Sequence, residues 1–138
     1  MERKTLFWHG YVLLLAAFSL GFLAAGGAPP SGAAWMRAHV STIIGSLVLL
    51  AAASAWNELT LSEGQQRWAF RLLLVASYAG TFFNIAGAAL QIPGPATQPG
   101  VQPDGLQAVV IIASLALIIP GFFGSTVLML LGLRGKRG

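Results

Sequence analysis

Residues 35–46, Trp35-Met36-Arg37-Ala38-His39-Val40-Ser41-Thr42-Ile43-Ile44-Gly45-Ser46, open the second of four long apolar runs. They set one histidine, His39, just inside the region that lipid would occupy. An ionisable side chain at that depth is costly, so it usually carries a partner or a task. No acid shares its run, which leaves a metal or a haem iron as the most economical partner for the imidazole.

The composition around that stretch is that of a membrane protein. Of 138 residues, 56% are hydrophobic and only 9% charged, against about 25% charged in a soluble domain. The mean hydropathy is +0.74. The runs are too long for core helices, since roughly 20 apolar residues span the hydrocarbon. Four of them with short connections make one membrane domain: an all-α bundle of four transmembrane helices. The formal charge of +4 would suit nucleic acid, but the basic residues gather at the ends of the runs, where they set topology instead. Cysteine is absent, which excludes a disulfide framework, an iron–sulfur cluster, a thiolate haem ligand and a cysteine nucleophile.

The first run covers about residues 6–25, after Glu2-Arg3-Lys4. A basic start before an apolar segment also describes a secretory signal peptide. Here the run has the length of a full span and leads straight to the next, so a retained helix is expected. Gly26-Gly27-Ala28-Pro29-Pro30-Ser31-Gly32 breaks it. The second span runs over about residues 35–56. The third, about 62–91, starts with Ser62 and Gln65 at the spacing of a capping box. Residues 92–105 hold too much proline and glycine for regular structure. In the fourth span, about 106–133, Pro120-Gly121 predicts a kink. All four tryptophans, Trp8, Trp35, Trp56 and Trp68, fall at span ends, the place of an interfacial aromatic belt.

Arg3, Lys4, Arg67, Arg71, Arg134, Lys136 and Arg137 lie on one side of these spans, and Arg37 alone on the other. That asymmetry predicts cytoplasmic termini. His39 then belongs to the outer leaflet and His9 to the inner one. Across a core of about 30 Å they would lie roughly 20 Å apart, too far to share a metal.

Asn84 falls at about the depth of His39. Gly80, Asn84, Gly87 and Gln91 recur at helical spacing as one stripe of small and polar residues, suited to close helix packing or a cavity wall. Gln107 can reach the same level. His39, Ile43 and Ser46 share a face, from which Arg37 points away. Each residue also has a plainer reading. Asn84 and Gln91 could bond between helices, His39 to a backbone carbonyl, and His9 could sit at the interface. Arg37 could snorkel to the surface, or pair with a carboxylate such as a haem propionate.

Thr5-Leu6-Phe7-Trp8-His9-Gly10, Arg37-Ala38-His39, Trp56-Asn57-Glu58-Leu59-Thr60-Leu61-Ser62, Gly80-Thr81-Phe82-Phe83-Asn84 and Val127-Leu128-Met129-Leu130-Leu131-Gly132-Leu133-Arg134-Gly135 together resemble the hydroxylaminobenzene mutases. These are small bacterial four-span membrane isomerases, and the resemblance covers nearly the whole chain. Trp35-Met36-Arg37-Ala38-His39 and Asn84 also resemble styrene oxide isomerase, a four-span trimeric membrane enzyme. That relative holds haem b through the matching histidine and uses ferric iron as a Lewis acid on an epoxide.

The resemblance implies haem b with His39 as the iron ligand and Arg37 beside the cofactor. It implies that Asn84 faces a small aromatic substrate, and that the protein is a homotrimer in the bacterial inner membrane. It departs at Ala88, where the epoxide relative has a tyrosine one turn after the matching asparagine. The departure favours conversion of an arylhydroxylamine to a 2-aminophenol over isomerisation of an epoxide to an aldehyde. A non-catalytic haem-binding or accessory subunit is a further reading. A small proton-coupled exporter is disfavoured, because Glu2, Glu58, Glu63 and Asp104, the acids of the chain, all lie outside the spans.

Overall fold

The computed structural model describes residues 2–29, 32–92 and 104–135. They form four α-helices: α1 (Glu2–Ala25), α2 (Gly32–Ala55), α3 (Glu63–Ala89) and α4 (Gly105–Arg134), with a short 3₁₀ turn at Trp56–Glu58. All four are long and apolar enough to cross a membrane, and no strand occurs among the described residues. The protein is an all-α, multi-pass membrane protein. The proline-rich stretch between α3 and α4 lies mostly outside the described residues.

Local sequence explains where the helices begin and end. Ser62 and Gln65 close the expected capping box at the start of α3. Asp104 and Gln107 close a second one on α4, which the sequence reading had not anticipated. In each, the two side chains satisfy backbone N–H groups that the first turn leaves without partners. The helix ends also share one device. Gly27 (φ +64°) follows α1 and Gln91 (φ +54°) follows α3, both in the left-handed region. Beyond them, Ala28 N–H donates to Leu23 O and Ile92 N–H to Gly87 O, the reverse-turn bonds that terminate a helix. The stop at Gln91 is why α3 ends at Ala89, before the expected boundary. At its other side α2 begins at Gly32, ahead of Trp35.

The helices pack in chain order, α1 on α2, α2 on α3 and α3 on α4, with a narrower contact between α1 and α3. Three side chain–backbone bonds pin the antiparallel α1–α2 pair. Arg3 Nε donates to Ala53 O at 3.3 Å, Ser46 Oγ to Gly10 O at 2.8 Å, and His39 Nδ1 lies 2.7 Å from Ala17 O. They recur every seven residues on both helices, the interval at which a helix returns to the same side of its partner. α2 lies close on α3 at Gly45, where an added Cβ would lie 3.6 Å from Ser77 O. α4 lies close on α3 at Gly121, where an added Cβ would lie 2.7 Å from Ala76 Cβ. α4 continues as a helix across Pro120, where a kink was expected, and the neighbouring Gly121 lets it lie close on α3.

The large buried side chains gather at one end. Leu6, Leu13, Leu49, Trp56, Leu59 and Leu73 form a cluster with Ala52, Ala53 and Ala69. Trp56 is only 6% exposed, so it is a core residue and not part of an aromatic belt. Trp8 and Trp68 are exposed as that belt requires. On α4, only Gly121, Ser125 and Gly132 are buried. Many of its large apolar side chains, among them Leu106, Ile112, Ile119 and Leu130, face outward, which is stable in lipid because hydrocarbon solvates them as well as a core would.

Candidate functional site

His39 sits seven residues into α2 and is half-buried. Its Nδ1 meets Ala17 O of α1 at 2.7 Å. A carbonyl only accepts, so Nδ1 carries the proton, and in the neutral ring Nε2 keeps its lone pair. The backbone bond and a ligand role are therefore compatible: one nitrogen serves each. This is also the usual arrangement of a ligating histidine, whose second nitrogen is held by a carbonyl or carboxylate.

Among the described residues no group of three His, Cys, Asp or Glu side chains could hold a metal ion. A prosthetic group that carries most of its metal's ligands itself needs only one protein donor, and His39 Nε2 is a donor of that kind.

Asn84 shares the level of His39. From the Gly45–Ser77 contact, α2 runs back six residues to His39 while α3 runs forward seven to Asn84, about 9 and 10 Å of helix respectively. The two side chains are not in contact, however. His39 turns toward α1, whereas Asn84 Nδ2 donates to Gly80 O of its own helix at 2.7 Å. Only one of the amide's two N–H groups is used in that bond, and its Oδ1 is an acceptor. Arg37 is exposed, away from the interior face of α2.

The glycines of the α3 stripe behave differently from one another. An added Cβ at Gly80 would touch Ile118 of α4 at 3.9 Å, while one at Gly87 would meet nothing within 4 Å. The stripe is thus a packing surface at its middle and an open wall beyond Asn84. Gln91 is exposed in the turn after α3. Gln107 does not reach toward His39 as expected. Its amide closes the α4 cap and donates to Leu90 O.

The buried residues toward this end of the helices are mostly small: Ala17, Ala34, Ala38, Thr42, Thr81 and Ala88, with Leu20 the large one. Ser77 Oγ is buried with no hydrogen-bond partner.

Sequence reading missed the partner of His9. Its Nδ1 lies 2.8 Å from the Tyr78 hydroxyl of α3, and the ring packs edge-on against both Trp8 and Tyr78. His9 is thus a half-buried group that bonds between helices. No sequence signal linked it to Tyr78, because α1 and α3 are separated by the whole of α2. The two histidines are also closer than the membrane thickness suggested. Eight residues of α1 separate His9 from Ala17, about 12 Å along the helix. That is still too far for one metal. A cleft of about 410 Å³, lined by Glu2, Arg3, Trp56, Asn57, Leu59 and Gln66, opens at the end of the molecule remote from His39. It includes none of the expected site residues.

The family model described as styrene oxide isomerase matches residues 2–134. No curated protein and no solved structure matches the chain. The match covers all four helices, and the chain belongs to the styrene oxide isomerase family. Membership points to an isomerase within the membrane.

Proposed function

We propose that this protein rearranges a small aromatic substrate within the membrane, converting an arylhydroxylamine to a 2-aminophenol at a haem held by His39. The observation that carries the reading is the bond from His39 Nδ1–H to Ala17 O, which leaves Nε2 as the donor. Haem b bound there would supply Lewis acidity toward a substrate oxygen.

The chain's own residues supply the rest. His39 Nε2 holds the cofactor, and the Ala17 carbonyl raises the basicity of that nitrogen through Nδ1–H. Asn84, through its second N–H or Oδ1, orients the substrate's hydroxyl or amine. Thr42, Thr81 and Ala88 are buried, and a substrate held among such small side chains would be shielded from bulk water, which would otherwise intercept ring-delocalised positive charge. The reaction is redox-neutral. The N–O bond breaks, a C–O bond forms at the ortho carbon, and the proton lost from that carbon is returned to nitrogen. Arg37, exposed in the first turns of α2, would pair with a haem propionate. Trimeric assembly and cytoplasmic termini belong to the same proposal.

Family membership favours a second reading, isomerisation of an epoxide to an aldehyde. Ala88 weighs against it, being 2% exposed and offering no hydroxyl. Tyr78, ten residues before Ala88 on α3, cannot stand in, because its hydroxyl is engaged by His9 of α1. The test is purified protein in detergent, supplied with haem. A Soret band and turnover of phenylhydroxylamine to 2-aminophenol are expected, with poor turnover of styrene oxide that improves in Ala88→Tyr. A protein that stays colourless removes the haem reading. Efficient styrene oxide turnover without activity on arylhydroxylamines selects the second one, and haem binding with neither activity leaves an accessory subunit.

A further inference from the structure

We propose that Gly21 is a positioning residue for His39: the notch left by its missing side chain seats the imidazole on the Ala17 carbonyl and so fixes which ring nitrogen is presented to a ligand. The inference rests on the reading of His39 as an iron ligand, and it assigns the orientation of that ligand to α1, a helix that contributes no ligand itself.

The geometry is specific to the imidazole. In a helix the side chain of residue i+4 leans back over residue i, so a side chain at position 21 would cover the Ala17 carbonyl. A Cβ placed on Gly21 would lie 3.0 Å from both Cε1 and Nδ1 of His39 and 3.6 Å from Nε2. The three nearest atoms are all from that one ring. Buried glycines serve other contacts: Gly10 seats Leu50, Gly45 admits the α3 backbone at Ser77, and Gly121 admits Ala76 and the Leu72 carbonyl. Those glycines let helices and apolar side chains approach, whereas Gly21 lets a ring reach a carbonyl on the neighbouring helix.

The helix pair has little freedom to relieve a clash there. Ser46 on Gly10 O, one heptad from His39, and Arg3 on Ala53 O, a heptad further, hold α1 and α2 in register. A Cβ at position 21 therefore pushes the ring by a few tenths of an ångström, and a larger side chain displaces it and with it the Nδ1–H bond. The consequence reaches Nε2 in two ways. The ring turns, and the preference for the tautomer with the proton on Nδ1 is lost. Removing such a supporting partner of a metal ligand typically costs about 10- to 100-fold in affinity.

The test compares wild type with Gly21→Ala and Gly21→Val in the full-length protein. Histidine nitrogen NMR on haem-free protein reports the His39 tautomer, and haem release to an acceptor protein with the ferric spectrum reports the loaded site. In wild type, His39 is expected as the Nδ1–H tautomer. In Gly21→Val that tautomer should be lost and haem released about tenfold faster or more, with helical circular dichroism unchanged. Gly21→Ala should shift the His39 nitrogen resonances and speed release by a smaller factor. It decides the matter if the valine variant does not fold.

Wild-type tautomer, spectrum and release rate in a folded Gly21→Val, or in Gly21→Ala where valine is not tolerated, overturn the proposal. So does an Nε2–H tautomer in wild type. A wild type that takes up no haem defeats the proposed function instead, and the tautomer measurement then decides the notch alone.

Discussion

The two ends of the helix bundle are built from different materials. Around His9 the interior is large and interlocked: Leu6, Leu13, Leu49, Trp56 and Leu73 meet in one cluster. His9 itself is tied across to Tyr78. Around His39 the buried residues are mostly alanines and threonines, and a side chain added at Gly87 would meet no neighbour. Each end carries one histidine, but the two are satisfied differently. His9 uses a side-chain hydroxyl on α3, while His39 uses a backbone carbonyl on α1. One end interlocks large side chains, and the other sets a half-buried imidazole against a backbone carbonyl among smaller ones. In a bilayer the contrast is sharpened, because lipid solvates apolar side chains and only close packing distinguishes a core from its surroundings.

The largest effect should separate the histidines. His39→Ala is expected to abolish haem retention while the protein stays in the membrane, and His9→Ala to leave the Soret band largely unchanged. Equal haem occupancy in the two variants would erase the distinction between the ends.

The packed end is next. Leu49 is fully buried, and Leu49→Ala should cost about 2–3 kcal/mol through the cavity it leaves. Thr42→Ala, at the other end, should cost about 1 kcal/mol or less, since its hydroxyl bonds only Ala38 O of its own helix. Reversible unfolding in mixed micelles measures both, and equal losses would show that the His39 end is packed as tightly as the other.

Asn84→Ala should leave the haem spectrum intact and lower phenylhydroxylamine turnover by about tenfold, equivalent to ~1.4 kcal/mol of transition-state stabilisation. The stability change should be small, because the bond it removes lies within α3. Unchanged turnover would make the amide a bond within α3 of no catalytic consequence. Tyr78→Phe breaks only the bond to His9 and should cost about 0.6 kcal/mol, the usual size of an interhelical bond in a membrane; a changed haem spectrum would show that the two ends communicate.

The smallest effect is a gain. Gln91 holds a left-handed conformation after α3, so Gln91→Gly should add about 0.5–1 kcal/mol. A loss would show that the Gln91 side chain itself matters.

Composition and hydropathy determined the class of this protein before any contact was known. Four runs of spanning length, with charges confined to their ends, leave a chain few alternatives to membrane helices. Local signals were equally legible. Ser62 with Gln65 marked the start of α3, and the shared face of His39 and Ser46 emerges intact as two bonds to the same face of α1. The Asp104–Gln107 cap was present in the sequence too, but it was obscured by the proline-rich segment before it.

What lay beyond the sequence was everything that depends on which helix stands beside which. Helical spacing gives the face of a residue and its approximate depth, but not the neighbour it meets. His39 and Asn84 were rightly placed at one depth, yet their hydrogen bonds go to α1 and to α3 itself. Trp56, assigned to the interface by its position, is enclosed because the 3₁₀ turn folds it back over Phe70. Gly21 drew no notice as a glycine among apolar residues, since its meaning comes from a ring eighteen positions away. Periodicity is a property of one helix, whereas a tautomer held by a carbonyl across an interface is a property of two. Only their packing could decide it.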